Sequence, residues 1–218
     1  LSPPPYQSQH PPTSFWRSLL HAWNGLIHTV VHQRNMRMHL IAAVLVSQVG
    51  SGLKLGLAEK VILLFCVLLV IFAEMLNSAL EQLVDLAVQQ FDERAKLAKD
   101  IAAAGVLVLA VGTVVIFAAV LVHNAGLIFA SSAAIGRQVL LGVPLTFAAG
   151  ALMHEQPRPR FVNVALGLTG LGLWAFSLRW TQSEVFSAMT ASLLVVCAAA
   201  GWQRLAVAQP TPQKNEPH

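Results

Sequence analysis

Charge is scarce in this sequence. Asp, Glu, Lys and Arg make up 11% of its 218 residues, against about 25% in a soluble domain. Hydrophobic residues account for 56%, and the mean hydropathy is +0.63. A water-soluble core of this size could not hide so much apolar surface, so a membrane has to be the solvent. Cysteine is nearly absent too. Cys66 and Cys197 stand alone inside apolar runs, which argues against a disulfide framework or a CxxC metal or redox pair and reads as two buried apolar side chains. Basic residues outnumber acidic ones, 14 to 10. In a soluble protein that balance would suggest nucleic acid. Here the basic residues cluster at the ends of apolar stretches, as membrane topology requires, and no nucleic-acid partner is expected.

What the sequence does have is a series of long apolar runs, which predicts an all-α, polytopic membrane helical bundle. Leu1 to Thr13 is rich in Pro, Gln and Ser and reads as a disordered tail, as does the polar segment 209–218. Ser14 to about Asn35 has helical periodicity but is too polar to span. His21, Asn24, His28, His32 and Asn35 share one face, with Trp23, Leu26, Ile27 and Val30 opposite. Such a helix lies in the membrane interface. Three spans are expected next, at about Met38–Leu57, Ala58–Leu83 and Asp100–Val122, with the charged stretch Gln89–Lys99 in water. Three more follow, at about Gln138–Met153, Phe161–Trp180 and Glu184–Trp202. The first of these is short, contains Pro144, and could be extended by Gly126–Gly136. With the amino terminus inside, Arg17, Arg34, Arg37, Arg94, Lys96, Lys99, Arg158, Arg160, Arg204 and Lys214 are cytoplasmic, whereas Lys54, Lys60, Arg137 and Arg179 are outside. This asymmetry predicts six spans with both ends cytoplasmic. The two halves show no convincing repeat.

Acidic residues are few, yet three fall within twelve positions. Glu74, Asn77, Glu81 and Asp85 are spaced by three, four and four, which lines them along one side of a helix over three turns. An apolar run from Val61 to Ala73 leads straight into Glu74. Carboxylates at such a position are costly unless they meet cations, water or one another. A solvated helix end or a structural polar network would account for Asp85 but fits Glu74 poorly. The chemistry that suits the stripe is phosphoryl transfer. One carboxylate takes the proton of an attacking alcohol, and another holds Mg²⁺ against nucleotide phosphates. Lys96 and Lys99 open the next helix, whose free N–H groups form an anion site. Ordinary positive-inside anchoring is the alternative for both lysines.

The segment Glu74-x-Leu-Asn-Ser-Ala-Leu-Glu81-x-x-Val-Asp85 resembles the signature of prokaryotic diacylglycerol kinases, whose Gram-positive relatives phosphorylate undecaprenol. Ser18-x-x-x-Ala22-x-Asn24-Gly25-Leu26 resembles the family's surface helix, and Arg34-Asn-Met-Arg-Met-His39 the start of its first span. Ala98-Lys99-Asp100 with Ala102-Ala103-Ala104 resembles the start of its third. The resemblance covers about Ser14 to His123 and implies a kinase-like membrane domain over 14–123, with an additional membrane region over 124–208. It also implies a homotrimer with active sites between subunits at the cytoplasmic face, ATP and Mg²⁺ as requirements, a membrane lipid alcohol as substrate, and residence in the bacterial inner membrane.

Carried over by residue, Glu74 resembles the general base, Asn77 a polar active-site position, Glu81 a metal and nucleotide ligand, and Asp85 a supporting acid. Lys99 and Asp100 resemble nucleotide-binding residues, and His21 sits where relatives place an aromatic ring near the nucleotide. Gln33 stands where the family has a metal-binding Glu, so the site loses one negative charge and its affinity for a hard cation is expected to fall. The Arg34–His39 stretch leans toward the undecaprenol branch. In the second half, Arg158-Pro159 is present without the Ser-Gly-His block of a fused lipid-phosphate phosphatase, so that reading is set aside. His154, Glu155, Arg158 and Arg160 form a polar loop expected to set topology. Two other classes remain open. One is an inactive kinase-fold scaffold. The other is metal binding through His21, His28, His32 and His39, of which only His28 and His32 are close enough to chelate.

Overall fold

The computed structural model describes residues 14–155 and 158–207. The two expected tails, 1–13 and 209–218, lie outside the described residues. Within them the chain is helical, from α1 (Phe15–His32), α2 (Arg34–Ser51), α3 (Leu57–Ala87) and α4 (Glu93–His123) to α5 (Ala125–Ala130), α6 (Ser132–Leu152), α7 (Arg160–Ser177) and α8 (Glu184–Val207). A short 3-10 turn, Leu178–Trp180, closes α7.

The all-α membrane bundle holds, with adjusted boundaries. The first helix stops at His32, short of the expected Asn35, because Gln33 is extended at φ −97° and ψ 119°. Its exposed Phe15, Trp16, Leu19 and Leu20 form the apolar side that suits an interface. α4 starts at Glu93, so the watery connection is shorter than expected. Asp92 caps it by accepting from the backbone N–H groups of Arg94 and Ala95 at 2.7 and 3.1 Å. At 31 residues each, α3 and α4 are about 46 Å long at 1.5 Å per residue. That exceeds the roughly 30 Å hydrocarbon layer, so both project well beyond it.

Among the described residues, five helices are long and apolar enough, by length and composition, to cross a membrane: α3, α4, α6, α7 with its 3-10 turn, and α8. α2, expected as the first span over 38–57, is not one of them. It has 18 residues and carries Arg34, Asn35, Arg37, His39 and Gln48. Packing explains how so polar a helix is tolerated. α2 is lodged against α6 and α8, and Gln48 Nε2 donates to Gln138 Oε1 at 2.7 Å inside the bundle. Gly142 permits this approach, since a Cβ there would lie 2.5 Å from Gln48 Cγ. α2 still runs between the two ends of the bundle. Its first turn pairs Arg37 with Glu155, and the Ser51 carbonyl at its far end accepts from the Gln182 N–H at 2.6 Å.

One core joins the early and late parts of the sequence. It gathers Ile27 and Val30 of α1, Met36, Leu40 and Val44 of α2, Leu145 and Ala149 of α6, and Cys197 and Ala200 of α8. Cys66 and Cys197 are buried and free, as expected. α4 contributes little to the interior, with Val106 its one buried residue.

Candidate active site

The acidic stripe of α3 comes together as its periodicity predicts. Glu74 is 1% exposed and Asn77 4%. At 13 residues from the end of α3, Glu74 lies about 20 Å back along the axis. It lines a cleft of about 180 Å³ with Asn77, with Asn35 and His39 of α2, and with Ala103, Val106, Leu107 and Ala110 of α4. His39 and Ala110 also border a second cleft of about 190 Å³, lined by Ala43, Val67, Val70, Val114 and Phe117 among others. The first cleft thus carries four polar side chains among apolar ones and shares His39 and Ala110 with an almost wholly apolar neighbour.

Glu81 sits one turn beyond Asn77. Asn77 Nδ2 donates to Glu81 Oε1 at 3.1 Å, and Gln33 Nε2 lies 3.4 Å from Glu81 Oε2. The bend between α1 and α2 thus delivers Gln33 to the stripe across 48 positions of sequence. Glu74 Oε2 and Asn77 Oδ1 are buried without a hydrogen-bond partner. Unpaired buried oxygens are costly, and they mark a place where a proton donor or a cation would be favourable. Further along α3, Asp85 pairs with Lys99 of α4, and both are partly exposed.

The structure brings Gln33, Glu74, Asn77 and Glu81 into one neighbourhood and Asp85 to Lys99. Asp100 and His21 are exposed and do not line the Glu74 cleft. Asn35 and His39 do line it; in the sequence reading His39 enters only the metal-binding alternative and Asn35 carries no site role. Their spacing of four, which puts them on one face of α2, was the available signal. The rings of His28 and His32 stack at 4.0 Å between centroids. Burial and then the neighbouring His32 hold His28 below the ordinary histidine value. Among the described residues, no group of three or more His, Cys, Asp or Glu is placed to hold a metal ion. Side-chain amide oxygens and Glu81 nevertheless supply the hard oxygen donors that suit Mg²⁺.

Fold and site together define a helical membrane protein with a carboxylate-bearing cleft between α2, α3 and α4. Comparison with known proteins gives this class a family. Residues 20–121 match the family model described as prokaryotic diacylglycerol kinase. A diacylglycerol kinase of Synechocystis sp. is 40% identical over 100 residues, covering 45% of this chain and 57% of that protein. An undecaprenol kinase of Bacillus subtilis is 36% identical over 97 residues, 44% of this chain and 79% of its own length. A diacylglycerol kinase of Escherichia coli is 30% identical over 95 residues, 44% of this chain and 78% of its own. No solved structure matches the chain. The chain belongs to the prokaryotic diacylglycerol kinase family. It spans little more than half of the Synechocystis relative, and the match leaves residues 122–218 outside it.

Proposed function

We propose that the protein transfers the γ-phosphoryl group of ATP to the hydroxyl of a membrane lipid alcohol, diacylglycerol or undecaprenol. The observation that carries this reading is the buried Glu74, whose Oε2 has no partner and which lines a cleft that shares His39 and Ala110 with an apolar neighbour. The lipid chain occupies the apolar cleft and its hydroxyl reaches Glu74. The Glu74 carboxylate accepts the hydroxyl proton as the lipid oxygen attacks the γ-phosphorus, and ADP leaves. Asn77 orients the hydroxyl. Glu81, with the side-chain oxygen of Gln33, would hold Mg²⁺, which when bound neutralises charge on the β- and γ-phosphates. Gln33 turns its NH₂ toward Glu81, and an amide flip would offer its oxygen instead. Lys99 steadies the phosphates while Asp85 holds its ammonium in place, and Asp100 contacts the nucleotide.

Because ATP is cytoplasmic, the end of the bundle bearing Glu81 and Lys99 faces the cytoplasm, and both chain ends lie on that side. Arg34, Arg37, Arg94, Arg158, Arg160 and Arg204 stand at the helix ends on the same side, which supports this orientation. The family resemblance supports a homotrimer, and the little-buried α4 leaves a surface for neighbouring copies. Residues 14–123 form the kinase part and 124–208 a membrane region added to it.

One observation favours a second reading, an inactive scaffold. The Gln33 amide already occupies the Glu81 oxygen that a cation would use. Purified protein incubated with labelled ATP and each lipid separates the two. Phosphorylation of either lipid establishes the kinase and names its acceptor. Absence of transfer to both at high Mg²⁺ establishes the scaffold.

A further inference from the structure

The kinase reading leaves unused a cluster of charge where the early and late parts of the chain meet. α1 ends at His32, and the Gln33 N–H closes on the Thr29 carbonyl at 2.8 Å. Beyond that point the chain bends, and the last carbonyls of α1 need partners from elsewhere. The Val31 carbonyl accepts from two guanidinium groups. Arg37 Nη1, from the first turn of α2, donates at 2.9 Å. Arg204 Nη2, from the last turn of α8, donates to the same oxygen. Arg37 uses its other nitrogen, Nη2, to pair with Glu155 from the α6–α7 connection. Two cations suit the negative end of a helix dipole, and Glu155 offsets their mutual repulsion.

Arg204 is not behaving as a topology anchor. An anchoring arginine extends its head group to water. Arg204 instead turns inward, and its Nε is buried without a hydrogen-bond partner. That cost is borne to reach an oxygen 173 positions earlier in sequence. The oxygen belongs to Val31, two residues before Gln33, whose amide touches Glu81.

We propose that Arg204 is a positioning residue for the kinase site. Through it, and through the Arg37–Glu155 pair, the added helices hold the α1–α2 bend that sets Gln33 against Glu81. The added membrane region is then an internal clamp on the metal side of the site. This inference rests on the reading of Gln33 and Glu81 given above.

The test uses the full chain and two readouts. The first is amide hydrogen exchange across residues 30–37 in metal-free protein. The second is the Mg²⁺ concentration giving half-maximal transfer. Arg204→Ala is expected to speed exchange across the bend and to raise the Mg²⁺ requirement by about threefold to tenfold, less than the full worth of one charge-assisted hydrogen bond because Arg204 acts on the site only through the bend, with less effect on kcat at saturating Mg²⁺. Arg204→Lys should recover part of both. Combined with Gln33→Ala, Arg204→Ala should add nothing to the Mg²⁺ requirement, because the two act through one contact. Unchanged exchange and Mg²⁺ requirement, or additive effects, would overturn the proposal. If Gln33→Ala shifts the requirement and Arg204→Ala does not, the clamp falls and the site stands. If Gln33→Ala shifts nothing, the site reading falls and the clamp with it. Should Arg204→Ala not fold, Glu155→Gln at its exposed position carries the same test, with smaller shifts in the same direction expected and no shift overturning the clamp.

Discussion

Replacing Glu74 with leucine should move stability and activity in opposite directions. The side chain is 1% exposed, and one of its carboxyl oxygens has no hydrogen-bond partner. Leaving such a group buried and unpaired costs about 1–3 kcal/mol. Leucine has a similar volume and no polar atom, so the substitution removes that penalty without opening a cavity. A chain of 150–250 residues gains about 2–4 °C in Tm per kcal/mol, so the midpoint in detergent should rise by about 2–12 °C. Lipid phosphorylation should fall by about 10²- to 10⁴-fold, the usual worth of a positioned general base. Thermal unfolding followed by circular dichroism, alongside a transfer assay on the same preparation, reads both. A lower Tm would mean that Glu74 holds a structural polar network, and the argument for a functional carboxylate would collapse. Retained transfer would place the base elsewhere.

Gln33→Glu puts a second carboxylate beside Glu81. Two like charges about 4 Å apart repel by about 4 kcal/mol at an effective dielectric of 20, and a divalent cation between them reverses the sign. The Mg²⁺ concentration for half-maximal rate should drop about tenfold; an unchanged requirement would show that residue 33 does not touch the metal. Gly201→Ala would bring a Cβ within 2.9 Å of the Leu152 carbonyl oxygen. Backbone cannot yield as a side chain can, so α8 should be pushed off α6 at a cost of about 1–3 kcal/mol, read as a lower Tm. The folded state favours neutral His28, because burial and then His32 lower its pKa. The unfolded chain therefore binds the proton more readily. As pH falls below the ordinary value of about 6.5, toward the lowered folded value, stability is lost. His28→Gln should flatten the pH dependence of stability in that window, and an unaltered profile would rule out this contribution.

How far the sequence reveals the site depends on how local each contact is. The Glu74–Asn77–Glu81 line follows from 3.6 residues per turn within one helix, and the structure draws it as the spacing requires. The break at Gln33 is different. Glutamine is a fair helix former, and nothing in the neighbouring residues stops α1 there. The bend is fixed by Arg37 and by Arg204, the latter 173 positions away, and local periodicity carries no trace of such a partner. α2 shows the converse. Its composition alone drops it from the set of crossing helices, yet its polar Gln48 finds Gln138 across 90 positions of sequence. The expected span Met38–Leu57 is a helix over Arg34–Ser51, and hydropathy cannot tell a lipid-facing helix from one lodged inside a bundle. The Glu155 loop carried no motif, and its pairing with Arg37 emerges only when α6 and α2 lie side by side.

The central claim is that Glu74 takes the proton of a lipid hydroxyl during transfer from ATP. The most direct measurement compares wild-type and Glu74→Gln protein in single-turnover transfer of labelled γ-phosphate to the accepted lipid, at saturating Mg²⁺, with ATP binding measured in parallel. The account predicts nucleotide binding within about twofold of wild type and a transfer rate lower by at least about 10². Equal transfer rates, or a loss of transfer matched by an equal loss of ATP affinity, would contradict it.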